Sequence, residues 1–334
     1  MPWWCSPRTA ARCDDREPRA RGRVARRVPP VNVALVTHAA CLEHRNPPGH
    51  PESPGRLSAV RAALDAGPVR GGAARWVEAP RAEREDVLRV HAAAHVARLG
   101  ALDRAGGGML DPDTSLGPGS LEAALRAAGA AVFATERALA GDGPAFCPVR
   151  PPGHHATPGR AMGFCLLNNA AIAARVALDR LGAERVLIVD WDVHHGNGTA
   201  DAFRAEPRVR YVSLHQWPWY PGTGLADDVG AGNLFHVPRG PGLPRERYVA
   251  DLLEAVDRAV AGFAPSLLVL SAGFDALAGD PLGGFTLEPD DFHALTVAIR
   301  ARAGAGAVVS VLEGGYDPAR LAAAACRHVE ALAT

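Results

Sequence analysis

Six apolar stretches, spread along the chain and separated by helical patterns, constrain the fold more than any other feature of the sequence. They are VNVALVT (31–37), AFCPV (145–149), RVLIVDWD (185–192), VRYVSLHQ (209–216), SLLVLSAG (266–273) and AVVSVLE (307–313). Several are continuously apolar rather than alternating. A strand that is apolar on both faces belongs to a sheet covered on both sides. Helical patterns occupy about 119–140, 167–181, 244–262, 288–303 and 317–332. Strand–helix–strand repetition predicts an α/β fold with a mostly parallel sheet, right-handed crossovers and helices on both faces. No linker or composition shift divides residues 31–334, which read as one domain.

Residues 1–30 hold eight arginines and no apolar segment, and read as a disordered tail rather than a secretory signal. Over 334 residues, 36 basic side chains balance 36 acidic ones, and every basic one is arginine. Zero net charge argues against whole-chain nucleic-acid binding, which needs a basic face to displace counterions. A membrane span needs a run of roughly 18 apolar residues, and the sequence has none. The six cysteines (5, 13, 41, 147, 165, 326) form no C-x-x-C pair, which excludes a thiolate zinc site and a disulfide framework. A reducing cytoplasm is the expected location.

In a doubly covered parallel sheet, ligands bind beyond the carboxyl ends of the strands. Chemistry should therefore lie where the strands stop. The 185–192 strand ends in Asp190-Trp191-Asp192-Val193-His194-His195-Gly196-Asn197. Alternation along an extended chain puts 190, 192 and 194 on one face and turns His195 away as a packed neighbour. The 266–273 strand runs into Asp275. Asp192, His194 and Asp275 would form a three-ligand divalent-metal site with open positions, an arrangement suited to catalysis. The 145–149 strand leads into Arg150-Pro151-Pro152-Gly153-His154-His155, a stiff turn presenting two imidazoles that can share base and acid roles. The 307–313 strand ends in Glu313-Gly314-Gly315-Tyr316, which delivers a phenol able to stabilise an oxyanion.

Taken together, RPPGHHA (150–156), GFCLLNN (163–169), DWDVHHGNGT (190–199), SLHQ (213–216), PGTG (221–224), SAGFDA (271–276) and LEGGY (312–316) resemble the histone deacetylase family, its class II branch and bacterial relatives above all. The resemblance implies an arginase/deacetylase-like fold: one three-layer domain around an eight-stranded, mostly parallel sheet. It implies a zinc-dependent amidohydrolase, with ferrous iron as the alternative metal, held by Asp192, His194 and Asp275. His155 would be the general base, His154 its electrostatic partner oriented by Asp190, and Asn197 the partner of the second histidine. Tyr316 would polarise the acyl carbonyl. Gly163, Phe164, Tyr220 and Leu282 would line the substrate tunnel. A structural K+ or Na+ would sit near Asp190, Asp192, His194, Ser213 and Leu214. Arg56 matches a family loop position and receives no chemical role.

The implied substrates are acetylated lysine side chains or small acyl amines. Leu282 stands where polyamine-specific eukaryotic relatives carry Glu, which lowers the acetylpolyamine reading. Bacterial polyamine amidohydrolases place an acid near 105–118, where Asp111 and Asp113 lie, so that reading stays open as the alternative. A non-catalytic metal-binding protein of the same fold is the weaker alternative, because a binder has no use for Tyr316. An arginase-like two-metal site is disfavoured because Gly196 occupies the position of the second-metal acid.

Overall fold

A computed structural model describes residues 32–334; the arginine-rich tail read at 1–30 lies outside the described residues. Eight strands form one sheet: β1 (Val33–Thr37), β2 (Ala74–Glu78), β5 (Ala145–Cys147), β6 (Val186–Asp190), β7 (Val209–Gln216), β8 (Leu234–Arg239), β9 (Leu267–Ala272) and β10 (Ala307–Leu312). Their order across the sheet is β2-β1-β5-β10-β9-β6-β7-β8, and every pairing is parallel. A separate antiparallel hairpin joins β3 (Gly108–Asp111) to β4 (Thr114–Leu116).

Alternate residues of each central strand enter two different cores. Val186, Ile188, Val269, Val309 and Val311 face the side that holds α4 (Ser120–Leu139) and α5 (Asn169–Asp179). Leu187, Val189, Leu268, Leu270 and Val308 face α1 (Pro54–Leu64), α7 (Arg245–Val260), α8 (Pro289–Ala303) and α9 (Pro318–Leu332). The continuous apolar runs thus have a direct cause: both strand faces leave water on folding. α2 (Arg84–Val87), α3 (Ala93–Arg104) and α6 (Asn197–Phe203) complete the α-helices among the described residues.

All six predicted strands form, most shortened by a residue or two at their ends. β2 and β8 lie at the two sheet edges, and the sequence pattern missed them. Each is partly exposed, so neither carries a continuous apolar run. α1, α2, α3 and α6 were missed as well: α2 and α6 span only 4 and 7 residues, and α1 and α3 bury few apolar side chains. The five predicted helices all form, and local chemistry fixes their ends. Asn168 caps α5 by accepting from the Ala171 amide at 2.9 Å. Asp317 caps α9 through the Ala319 and Arg320 amides. Glu288 and Asp291 form a capping box on α8, which Gly304 then terminates at φ 59°.

Among the described helices, none is long and apolar enough to cross a membrane. The described cysteines, Cys41, Cys147, Cys165 and Cys326, are free.

His328 ties this scaffold together from inside. Its Nδ1 is 2.7 Å from Thr296 Oγ1 and its Nε2 is 2.8 Å from Ser310 Oγ, joining α9 to α8 and β10. Burial, with Arg300 adding to it, pushes its pKa down to about 3. Below the ordinary histidine value the unfolded chain takes up a proton that the folded one refuses, so stability falls as pH drops from about 6.5. This one site costs up to about 1.4 kcal/mol per pH unit. Urea unfolding at pH 7.5 and 5.5 should therefore show a smaller acid loss in His328→Gln than in wild type. An identical acid loss in both proteins would contradict this assignment.

Candidate active site

The sheet order gathers four distant parts of the chain. β5, β10, β9 and β6 are neighbours, and register sets Asp190 beside Ser271 and Ser271 beside Val311. The loops that leave these strands at their carboxyl ends must therefore meet. Asp192, His194 and Asp275 converge there, buried, with ligand atoms within 4.8 Å of one another. β6 stops at Asp190, so strand alternation does not bring 192 and 194 to the site. The loop does so by folding back: the Asp192 amide donates to Asp190 Oδ1 at 3.1 Å and the His194 amide to Asp192 Oδ1 at 2.9 Å. The Gly314 amide donates to Asp192 Oδ2 at 2.8 Å, and the Val193 amide to Asp275 Oδ1 at 2.8 Å.

Glycine is required at two of these tips. A Cβ on Gly273 would lie 2.1 Å from Asp192 Oδ2, and one on Gly314 would lie 2.0 Å from Asp275 Oδ2. The backbone closes on the carboxylates as far as atoms allow.

The triad fits a divalent cation by its own chemistry. Asp275 Oδ2 is buried without a hydrogen-bond partner, and His194 Nδ1 lies 3.2 Å from it outside hydrogen-bond geometry. Burial and the neighbouring Asp192 charge push the Asp275 carboxyl up to about 7. Burial alone would push the His194 imidazole down, but Asp192 and Asp275 outweigh it and raise it to about 9. Two acids and an imidazole in so small a buried space need positive charge, which a metal supplies while displacing the protons.

Beside the triad stand the paired histidines, their ring centroids 4.0 Å apart. His154 Nδ1 is 3.0 Å from Asp190 Oδ2, which also accepts from the Tyr211 hydroxyl at 2.8 Å. Burial pushes His154 down, yet Asp192, Asp190 and Glu313 together overcome it and hold it up at about 10. His155 behaves oppositely: burial, then the neighbouring His154 and His194, hold it well below the ordinary range. Its Nδ1 is 2.8 Å from Asn197 Oδ1. An amide oxygen only accepts, so Nδ1 carries the proton and Nε2 keeps its lone pair. The two adjacent imidazoles thus differ in charge, the His154 ring favouring the cation and the His155 ring the neutral form.

Gly163 adopts φ 57°, and a Cβ there would meet His155 Cδ2 at 2.4 Å. Phe164, at φ 67°, is the one non-glycine residue with positive φ among those described. That conformation costs on the order of 1–2 kcal/mol and must be held. The β3–β4 hairpin holds it: Thr114 Oγ1 accepts the Phe164 amide at 2.9 Å, and Asp113 Oδ1 accepts the Gly163 amide at 3.2 Å. The Phe164 ring lies edge-on to Tyr316 at 5.9 Å, and Tyr220 lies edge-on to His155 at 5.0 Å. The Trp219 indole donates to the Leu282 carbonyl at 2.9 Å, which sets Trp219 against the 279–283 loop.

Several residues at the site were not read as functional from the sequence. Asp280 accepts the Tyr316 amide at 2.7 Å and the Leu282 amide at 2.9 Å, fixing both loops. Arg56 lies 4.7 Å over the Tyr316 ring and donates to the Gly315 and Glu313 carbonyls. Glu52 joins Arg56 and Arg150 in a fully buried ion network. Glu313 reaches into the His154 loop. Asp280, Arg56 and Glu313 act on backbone groups and Glu52 on buried arginines, roles that no spacing pattern announces. His195 does turn from the triad, with Nε2 3.1 Å from His236 and Nδ1 2.8 Å from Thr223. Ser213 is the register partner of Asp190, with Leu214 next along β7, so these two lie beside the Asp190–His194 loop.

A family model described as the histone deacetylase domain matches residues 50–332. The histone deacetylase-like amidohydrolase of Pseudomonas aeruginosa is 43% identical over 282 residues, covering 81% of this chain and 73% of that protein. A probable deacetylase of Methanothermobacter thermautotrophicus is 40% identical, covering 86% of this chain and 87% of its own. The solved HDA15 HD domain superposes with a TM-score of 0.86 at 36% identity, covering 91% of this chain and 88% of that one.

A cation bound only by the folded triad stabilises the fold by mass action, by about 2.7 kcal/mol at a hundredfold excess over Kd. Thermal melts should rise with added zinc and fall with a chelator in wild type. Asp192→Ala should abolish the difference, and a zinc shift that survives in the variant would place the ion elsewhere.

Proposed function

The chain belongs to the histone deacetylase family, and from that premise we propose that it is a zinc-dependent amidohydrolase removing acetyl or related acyl groups from acetyl-lysine side chains or similar amines. The observation that carries this reading is a neutral, anchored imidazole next to a buried three-ligand metal triad. A divalent metal held by Asp192, His194 and Asp275 supplies Lewis-acid polarisation of the acyl carbonyl and acidification of water, from about 16 toward about 7.

The chain's own groups do the rest. His155 Nε2 takes the proton from the attacking water, with Asn197 keeping the ring in the required tautomer. Tyr316 donates its hydroxyl to the acyl oxygen as negative charge develops. Burial holds that phenol well above its ordinary pKa, which keeps it protonated. Cationic His154, held by Asp190, offsets the charge of the tetrahedral species. As the C–N bond breaks, His155 returns its proton to the leaving amine. Phe164 and Tyr220 exclude water from the arm of the substrate.

The acetylpolyamine reading loses support at the rim. Asp111 is ion-paired with Arg160, Asp113 accepts the Thr114 hydroxyl and the Gly163 amide, and residue 282 is leucine. Both hydrogen bonds of Asp113 end on Oδ1, so of these residues it alone leaves a carboxylate oxygen to a secondary ammonium.

A panel of acylated amines assayed with zinc-loaded protein tests the proposal. Acetyl-lysine peptide should be hydrolysed in preference to acetylated polyamine. His155→Ala and Tyr316→Phe should each lower kcat by about a hundredfold or more. Full turnover in His155→Ala would overturn the assignment of the base.

A further inference from the structure

We propose that Glu313 is a positioning residue for the histidine pair: its buried carboxylate captures the backbone amides of the turn that carries His154 and His155. Glu313 follows β10, and its side chain is completely excluded from solvent. Oε2 accepts the Gly153 amide at 2.6 Å and the His154 amide at 3.1 Å. Oε1 accepts the Ser271 hydroxyl at 2.9 Å, from β9. Two successive N–H groups converging on one oxygen form a small anion-binding nest, here filled by a side chain of the same protein.

The residue is itself fixed along its backbone. Its amide donates to the Ala272 carbonyl at 3.0 Å, and its carbonyl accepts Arg56 Nη2 at 2.6 Å. A fixed acceptor holding two amides determines where the turn stands. His154 is thus gripped at both ends, its backbone by Glu313 and its ring by Asp190. His155 follows directly on the gripped backbone. The next residue after Glu313, Gly314, gives its amide to the metal ligand Asp192, and Tyr316 lies three residues along. One short segment therefore sets the spacing between the base, the metal ligands and the oxyanion donor. An error of about 1 Å in such spacing costs on the order of a hundredfold in rate.

The role is geometric, so it depends on side-chain length and accepting oxygens, while the Glu313 charge is the least of the influences that raise His154. Glutamine keeps the length and one acceptor for both amides, while its NH2 donates to Ser271. Aspartate keeps the charge but falls one methylene short. The proposal rests on the amidohydrolase reading of the site, and the test separates the two. Kinetics on acetyl-lysine peptide should give Glu313→Gln within about tenfold of wild-type kcat, and Glu313→Asp lower by about a hundredfold with KM nearly unchanged. Hydrogen exchange, which needs no activity, should show the Gly153 and His154 amides protected in wild type and Glu313→Gln, and exposed in Glu313→Asp. An Asp variant more active than the Gln variant, or amides equally protected in all three, would overturn the proposal. A wild-type protein that turns over no acyl amine but shows the predicted exchange would sink the amidohydrolase reading and leave the grip standing.

Discussion

The structure depends on how four carboxylates, Asp190, Asp192, Asp275 and Glu313, are kept buried together at the ends of a parallel sheet. A desolvated carboxylate persists only when hydrogen bonds or opposite charge replace its water. Here the strand tips provide those partners. Asp192 takes the His194 and Gly314 amides, Asp275 the Val193 amide, Asp190 the Asp192 amide and the Tyr211 hydroxyl, and Glu313 two amides and a serine. One atom, Asp275 Oδ2, stays without a hydrogen bond, and it belongs to the triad that could hold a metal ion.

This arrangement constrains the surrounding sequence. Glycines at 273 and 314 let the backbone approach the acids, and glycine at 163 makes room for His155. Separation of the two histidines into a cationic and a neutral ring follows from position alone: His154 faces the carboxylates, and His155 faces the other imidazoles and an amide. The buried Glu52–Arg56–Arg150 network holds the next layer outward, with Arg56 bonding the same β10 loop that carries Glu313 and Tyr316.

The central strands were legible in the sequence because burial on both faces leaves them apolar throughout. The edge strands β2 and β8 were not, since partial exposure breaks that signature. At the site, the side chains that would meet metal or substrate stand at strand ends, where the fold rule directs attention. Asp280, Thr114 and Glu313 escaped because each bonds backbone amides of residues far away in sequence, and such contacts exist only once the chain is folded. The absence of lysine bears on the proposed activity: a lysine deacylase of this sequence carries no internal lysine to be acetylated.

On the proposed reading, a single divalent ion would be held by groups from two adjacent strand tips, within reach of a neutral His155. Anomalous diffraction at the zinc absorption edge, from crystals of the zinc-loaded protein, decides the matter. One strong peak bonded to Asp192, His194 and Asp275, with His155 unligated, is expected. A peak on the histidine pair, or none at the triad, would contradict it.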